Sequence, residues 1–308
     1  MKTHKKHGIL YAATCILTSL ILLDLLLGFF LMRQAIGRKS ATDRKPFSVS
    51  GYEAIYQESL QWEGDREYET VSLTSSDGLF LRANYYPAAN ISHYYAILVH
   101  GYTGSRKEML PYAVAYAERG YNLLIPDLRA HGESEGRYIG MGWLDRMDLI
   151  QWIDCILEWD ADAEIVLHGV SMGAATVLMT TGEDLPCQVK AIVADCAYTS
   201  AWDLFSRLLG GMDWPILNTA NVLVRGLAGY DLHQASPLEQ VQTAKVPILF
   251  IHGDADELIP VDMARQLFDA CSAEKKLLIV ENAAHAKSMY EATELYFKTV
   301  FDFINDIQ

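Results

Sequence analysis

Gly169-Val170-Ser171-Met172-Gly173 sets a serine in the pattern G-x-S-x-G, directly after the apolar run Glu164–Val170 and directly before a helical run that starts at Met172. A turn that passes so sharply from strand to helix strains the central residue, and side chains beside it would collide, so glycine flanks it. Ser171 would stand exposed at a helix N-terminus, where the backbone N–H of Met172 can stabilise an oxyanion. A serine hydroxyl becomes an effective nucleophile only when a base takes its proton and a carboxylate holds that base in the right tautomer. Two later segments offer these groups. His252-Gly253-Asp254-Ala255-Asp256-Glu257-Leu258-Ile259-Pro260 follows one apolar run, and Ala283-Ala284-His285 follows the next. The residues alone leave Asp254 and Asp256 both open as the acid.

These groups can meet only if the elements that carry them share one edge of a sheet. Two β-rich runs, Tyr68–Thr74 and Leu79–Tyr86, surround Ser76-Asp77-Gly78 and read as an opening hairpin. Short apolar runs then alternate with helical periodicity: strand Tyr95–Val99, helix Lys107–Arg119, strand Tyr121–Pro126, helix Trp143–Glu158, strand Glu164–Val170, helix Met172–Gly182, strand Val189–Ala194. Such alternation predicts an α/β fold with a mostly parallel central sheet and helices on both faces. The rhythm lapses over 198–240, where apolar helical stretches occur without a strand. It resumes with Val246–Ile251, Val261–Cys271, Lys276–Val280 and Lys287–Ile307. An insertion of this kind belongs over the C-terminal strand edge, where ligands bind in open α/β sheets, and is expected to form a small helical cap. Its apolar residues, Trp202 and Phe205 among them, are candidates for a substrate-binding acyl pocket.

Five motifs carry a resemblance: His100-Gly101-Tyr102-Thr103-Gly104-Ser105, Asp127-Leu128-Arg129-Ala130-His131-Gly132-Glu133-Ser134, the turn at Ser171, the His252-Gly253…Asp256…Pro260 segment, and Ala284-His285. In this order the chain resembles the α/β-hydrolase superfamily over roughly residues 50 to 308. Within it the chain is similar to the small bacterial membrane-anchored hydrolases of the serine-aminopeptidase-like and Bem46-like group. The resemblance implies a triad of Ser171, Asp256 and His285, with the amides of Tyr102 and Met172 as oxyanion hole. The family's turn places the acid four residues before the proline, which selects Asp256 over Asp254. His100 and His131 are expected to satisfy buried backbone groups, His168 to sit in the core, and Asp127 to fix a loop. Glu53, Glu58 and Glu63 read as a solvated face.

Residues 1–8 are basic, and 9–32 are apolar apart from Thr14, Thr18, Ser19 and Asp24, long enough at about 1.5 Å per residue to cross a hydrocarbon core of about 30 Å. The apolar run exceeds a signal-peptide core, and no A-x-A site follows it directly, so an uncleaved anchor is expected, with cell-membrane localisation. Asp24 is costly in hydrocarbon and marks a partner, a polar path or a protonated group. Basic residues flank both ends almost equally, which leaves the side of the catalytic domain open. Residues 33–50 read as a juxtamembrane linker and 51–308 as the catalytic domain.

The first 45 residues carry a surplus of six positive charges, and the whole chain a net −14, so the body is acidic by about twenty charges. Such a body repels phosphate backbones, which excludes nucleic acid as an expected partner. Cys15 lies in the apolar stretch, while Cys155, Cys187, Cys196 and Cys271 are widely spaced, lack metal-type spacing and read as scattered buried thiols. No metal cluster, phosphate loop or haem motif is seen, so no cofactor or metal is expected. The expected partners are a small-molecule ester or acyl substrate and membrane lipid, and the expected activity is carboxylic-ester or related acyl hydrolysis. The rival readings are a serine peptidase on short peptides and, from another class, a non-catalytic membrane scaffold.

Overall fold

Eight strands hydrogen-bond in the order β1-β2-β4-β3-β5-β6-β7-β8, in a computed structural model that describes residues 2–39 and 51–307. Strands β1 (Glu69–Thr74) and β2 (Phe80–Tyr86) form the expected antiparallel hairpin. Gly78 supplies the positive φ of +86° that its turn requires. The other six are parallel: β3 (Tyr94–Val99), β4 (Asn122–Pro126), β5 (Glu164–Val170), β6 (Val189–Asp195), β7 (Ile248–Gly253) and β8 (Lys275–Val280). Strands β4 and β7 are buried along their whole length, as runs covered by helices on both faces must be.

Before the hairpin lie α1 (Lys2–Ile36) and α2 (Glu53–Gly64). Helix α2 was not anticipated, and on it Glu63 accepts a hydrogen bond from Tyr86 Oη at 2.6 Å, so this acid is not simply solvated. Helices α3 (Leu110–Ala117), α4 (Asp145–Trp159) and α5 (Met172–Met179) follow β3, β4 and β5. All eight residues of α5 are buried, and Gly173, Ala174 and Ala175 let its first turn lie close against the sheet. After β6 come α6 (Ala201–Leu208), a helical turn at Asp213–Leu217, α7 (Asn218–Leu227) and α8 (Pro237–Gln240). These occupy the expected insertion. Ser200 caps α6 by accepting the Asp203 N–H at 2.9 Å. The rest is α9 (Val261–Ala270), α10 (Ser288–Glu291) and α11 (Thr293–Ile307).

Two expectations need correction. Residues 33–39 are not linker: α1 continues to Ile36, Gly37 bridges Tyr138, and Arg38 donates to the carbonyls of Gly132, Ser134 and Gly136 at 3.1, 2.7 and 3.3 Å. The last carbonyls of a helix have no intrahelical donor. Here Ala35 O receives Tyr102 Oη at 2.6 Å and Ile36 O receives the Ile139 N–H at 2.6 Å, so the helix end is sealed by the domain. Residues 40–50 lie outside the described residues. Of the four cysteines outside α1, all free, Cys196 and Cys271 are buried as expected and Cys155 is half-buried, whereas Cys187 is exposed.

Candidate active site

Ser171 sits between β5 and α5 with φ +56° and ψ −117°, a left-handed backbone that a non-glycine residue adopts only under constraint. The constraint is visible in its neighbours. A Cβ on Gly173 would lie 2.0 Å from the Val99 carbonyl oxygen, and one on Gly169 would lie 2.2 Å from the Gly173 oxygen. A Cβ on Gly101 would reach within 3.3 Å of Ser171 Cβ, so the loop after β3, which carries Tyr102, runs against the serine. Ser171 donates its own N–H to Asp195 O at 2.8 Å, which withdraws that amide from any oxyanion.

Ser171 Oγ and His285 Nε2 are 2.9 Å apart, and His285 Nδ1 lies 2.7 Å from Asp256 Oδ2. The other oxygen, Asp256 Oδ1, accepts the N–H groups of Leu258 and Ile259 at 3.0 and 2.8 Å. Burial alone would raise the Asp256 pKa, but hydrogen bonds from His252 and His285, the charge of His285 and the Ile259 amide together hold it well below the usual carboxylate range. An ionised carboxylate can only accept, so Nδ1 of His285 carries the proton and Nε2 is left to accept from the serine hydroxyl. Asp254 does not join this chain; it accepts the Asn282 N–H at 2.6 Å. His252 was not singled out from the sequence. Its Nε2 donates to Ile259 O at 2.7 Å and lies 3.4 Å from Asp256 Oδ2, which pins the acid's loop. Its place at the end of β7, four residues before the acid, was the available signal.

A cavity of about 400 Å³ opens beside Ser171, with walls almost wholly apolar. Tyr102, Met172 and Phe205 line it. Met172 is the first residue of α5, so its N–H has no intrahelical acceptor. Trp202 is not on the wall, contrary to expectation: its ring stacks on His233 with centroids 3.9 Å apart and an interplanar angle of 21°. A smaller cavity of about 190 Å³ flanks Ser171 on the side of Gly101, Tyr112 and His285.

A family model described as the alpha/beta hydrolase fold matches residues 97–213. YqkD, an uncharacterized protein of Bacillus subtilis, is 30% identical over 68% of this chain and 71% of its own. The chain belongs to the α/β-hydrolase superfamily. YfhR, an uncharacterized protein of Escherichia coli, is 24% identical over 77% of this chain and 80% of its own. In three dimensions the hydrolase is similar to the Pyrococcus furiosus esterase Pf2001, with TM-score 0.65 and 23% identity over 80% of this chain and 95% of that one. It is also similar to the Pyrococcus horikoshii acylaminoacyl peptidase, with TM-score 0.61 and 17% identity over 80% of this chain and 43% of that one.

The remaining candidates of this hydrolase fall into supporting places. His100 Nε2 accepts the Leu128 N–H at 3.0 Å and its Nδ1 donates to Gly101 O at 2.7 Å, while His131 Nε2 accepts the Thr103 N–H at 3.0 Å and its Nδ1 donates to Arg129 O at 2.9 Å. Both rings thus tie the loops below Ser171 by backbone contacts. Asp127 accepts from the Arg106 and Glu133 amides, each at 2.9 Å, and pairs with the Arg106 guanidinium at 2.5 Å. His168 is buried between the hydroxyls of Tyr116 and Tyr296, and desolvation pushes its pKa down to about 3. Cys196 Sγ lies within 4.8 Å of the Asp256 and His285 ligand atoms, but burial pushes its thiol pKa far up and His285 is engaged at both nitrogens.

Proposed function

We propose that this hydrolase is a membrane-anchored serine enzyme that cleaves carboxylic esters or related acyl substrates. The observation that carries the proposal is the hydrogen-bonded chain from Asp256 through His285 to Ser171, ending at the mouth of an apolar cavity. His285 takes the Ser171 proton as Oγ attacks the substrate carbonyl, and Asp256 stabilises the imidazolium that forms. The Met172 and Tyr102 amides receive the negative charge of the tetrahedral intermediate. His285 then gives its proton to the leaving alcohol, and water repeats the sequence on the acyl-enzyme.

The large apolar cavity favours an acyl chain over the polar backbone of a peptide, since buried peptide groups would find few partners there. Helix α1, whose stretch Ile9–Ile36 is long and apolar enough to cross a membrane, serves as the anchor in this reading. The test is labelling by a fluorophosphonate and hydrolysis of p-nitrophenyl esters: Ser171→Ala should lose both, and retained labelling would rule out Ser171 as nucleophile. Faster turnover of an aminoacyl arylamide than of any ester would transfer the enzyme to the peptidases.

A further inference from the structure

One wall of the acyl cavity comes from the anchor. Asp24, Gly28, Leu31, Met32, Ala35 and Ile36 recur at helical spacing on one face of α1. Met32 and Ile36 are buried at 2% and 0% exposure, and Gly28 packs so closely that an added Cβ would lie 2.7 Å from Thr219 Cγ2. Thr219 also donates its hydroxyl to Asp24 Oδ2 at 2.5 Å, which places the awkward carboxylate of the span against α7 of the cap. Further along the same face, Leu31, Met32, Ala35 and Ile36 line the cavity that Ser171 opens into.

The length of α1 locates this wall relative to a bilayer. From Ile9 to Leu23 the helix has fifteen exposed residues ahead of Asp24, which bonds to the cap, about 22 Å at 1.5 Å per residue. A hydrocarbon core is about 30 Å thick, so the span is completed only by the part of α1 that already touches the cap. The cap must therefore enter the membrane boundary by roughly 5–10 Å, the depth at which amphipathic elements settle. Its outer surface suits that position: Trp214 and Val222, on the segments packed against α1, are 82% and 65% exposed, and Met212, just before them, is 66% exposed. Water disfavours such a set, whereas the interface accepts it.

We propose that the docked end of α1 is the specificity wall of the acyl pocket and that the substrate is a long-chain acyl ester drawn from the bilayer that α1 crosses. This rests on the serine-hydrolase reading above. The acyl chain passes between α1 and the cap without crossing water, while the ester carbonyl reaches Ser171 at the level of the headgroups.

The test uses the full chain in two settings. In detergent, labelling rates with ethyl, dodecyl and branched dodecyl fluorophosphonates are compared for wild type, Ala35→Phe and Leu31→Ala. Wild type should favour the dodecyl over the ethyl probe. Ala35→Phe, which fills the cavity, should lower that ratio about tenfold or more, and Leu31→Ala, which widens it, should raise the rate of the branched probe relative to the linear one. Misfolding cannot move selectivity in these opposite directions. Labelling that ignores chain length in all three proteins overturns the wall, whereas no labelling of wild type overturns the serine-hydrolase reading and this proposal with it. In phosphatidylcholine vesicles, 4-methylumbelliferyl palmitate in the same bilayer as the protein should be hydrolysed about tenfold faster than the ester held in separate vesicles. Equal rates would show delivery through water and overturn the bilayer source.

Discussion

In the proposed mechanism the carboxylate acts on the serine through one imidazole nitrogen, so Asp256 matters there through the tautomer it imposes on His285. Asp256→Asn leaves a group that can donate to Nδ1, which favours the wrong tautomer. We expect kcat to fall by several orders of magnitude, about 10⁴, with the fold retained. Asp254→Asn, whose side chain faces the Asn282 amide, should change kcat only a few-fold; the reverse ranking in a steady-state assay would contradict the geometry. These residues were legible because each follows an apolar run, and a parallel sheet brings the ends of such runs to one edge. Choosing between Asp254 and Asp256 needed the family turn, since both lie in the same loop. A second expectation concerns His168, whose folded pKa of about 3 lies below its ordinary value of 6.5. The unfolded chain binds the proton first, so the neutral ring's contribution to stability is complete above about pH 6.5 and is lost as pH falls from there toward 3. Asp145 and Asp195, raised mainly by burial to about 7 and 6, act in the opposite sense through overlapping pH. The comparison must therefore be between proteins: from pH 7.5 to 5, the urea midpoint of His168→Gln should drop less than that of wild type.

At the scale of elements, the turn from β5 to α5 works because two glycines let three backbones meet. Gly173→Ala brings a Cβ to 2.0 Å from the Val99 carbonyl, a clash with backbone that no side-chain rotation relieves. Such overlap is among the few causes of large destabilisation, and a loss of more than about 4 kcal/mol, or failure to fold, is expected in thermal or urea unfolding. A native-like midpoint would mean the turn has more room than its geometry shows. The cap was legible as an insertion but not in its side-chain directions. Trp202 and Phe205 are both large and apolar and lie three residues apart on α6, yet Phe205 meets the cavity and Trp202 meets His233. The difference depends on the segment Asp231–Gln234 returning beside α6, which pattern reading does not supply. Accordingly, Phe205→Ala should flatten the rise of kcat/KM along a p-nitrophenyl series from acetate to decanoate, and Trp202→Ala should leave the slope nearly unchanged.

At the scale of the whole molecule, α1 and the sheet domain share one apolar cluster, in which Met32 and Ile36 join Met141, Leu217 and Val224. The sequence of the helix reads as a membrane span because apolar residues stand on every face of it. That same uniformity hid the docking stripe, since a buried face and a lipid-facing face look alike when both are apolar. The carboxylate of Asp24 and the missing side chain of Gly28, four residues apart, were the marks of the docked side. Removing residues 1–39 therefore does more than release a tether. It uncovers the seat of Met32 and Ile36, leaves Tyr102 without the Ala35 carbonyl, and frees the loop at 132–137 from Arg38. Burying two large aliphatic side chains is worth about 1.5–3 kcal/mol each, an upper estimate because part of that surface is also covered in unfolded chains. A chain of residues 40–308 should accordingly melt several degrees below the full protein in the same detergent, and bind more of a fluorescent reporter of exposed apolar surface. If its melting point and dye binding match those of the full protein, the docked stripe contributes nothing to the domain and α1 is a tether alone.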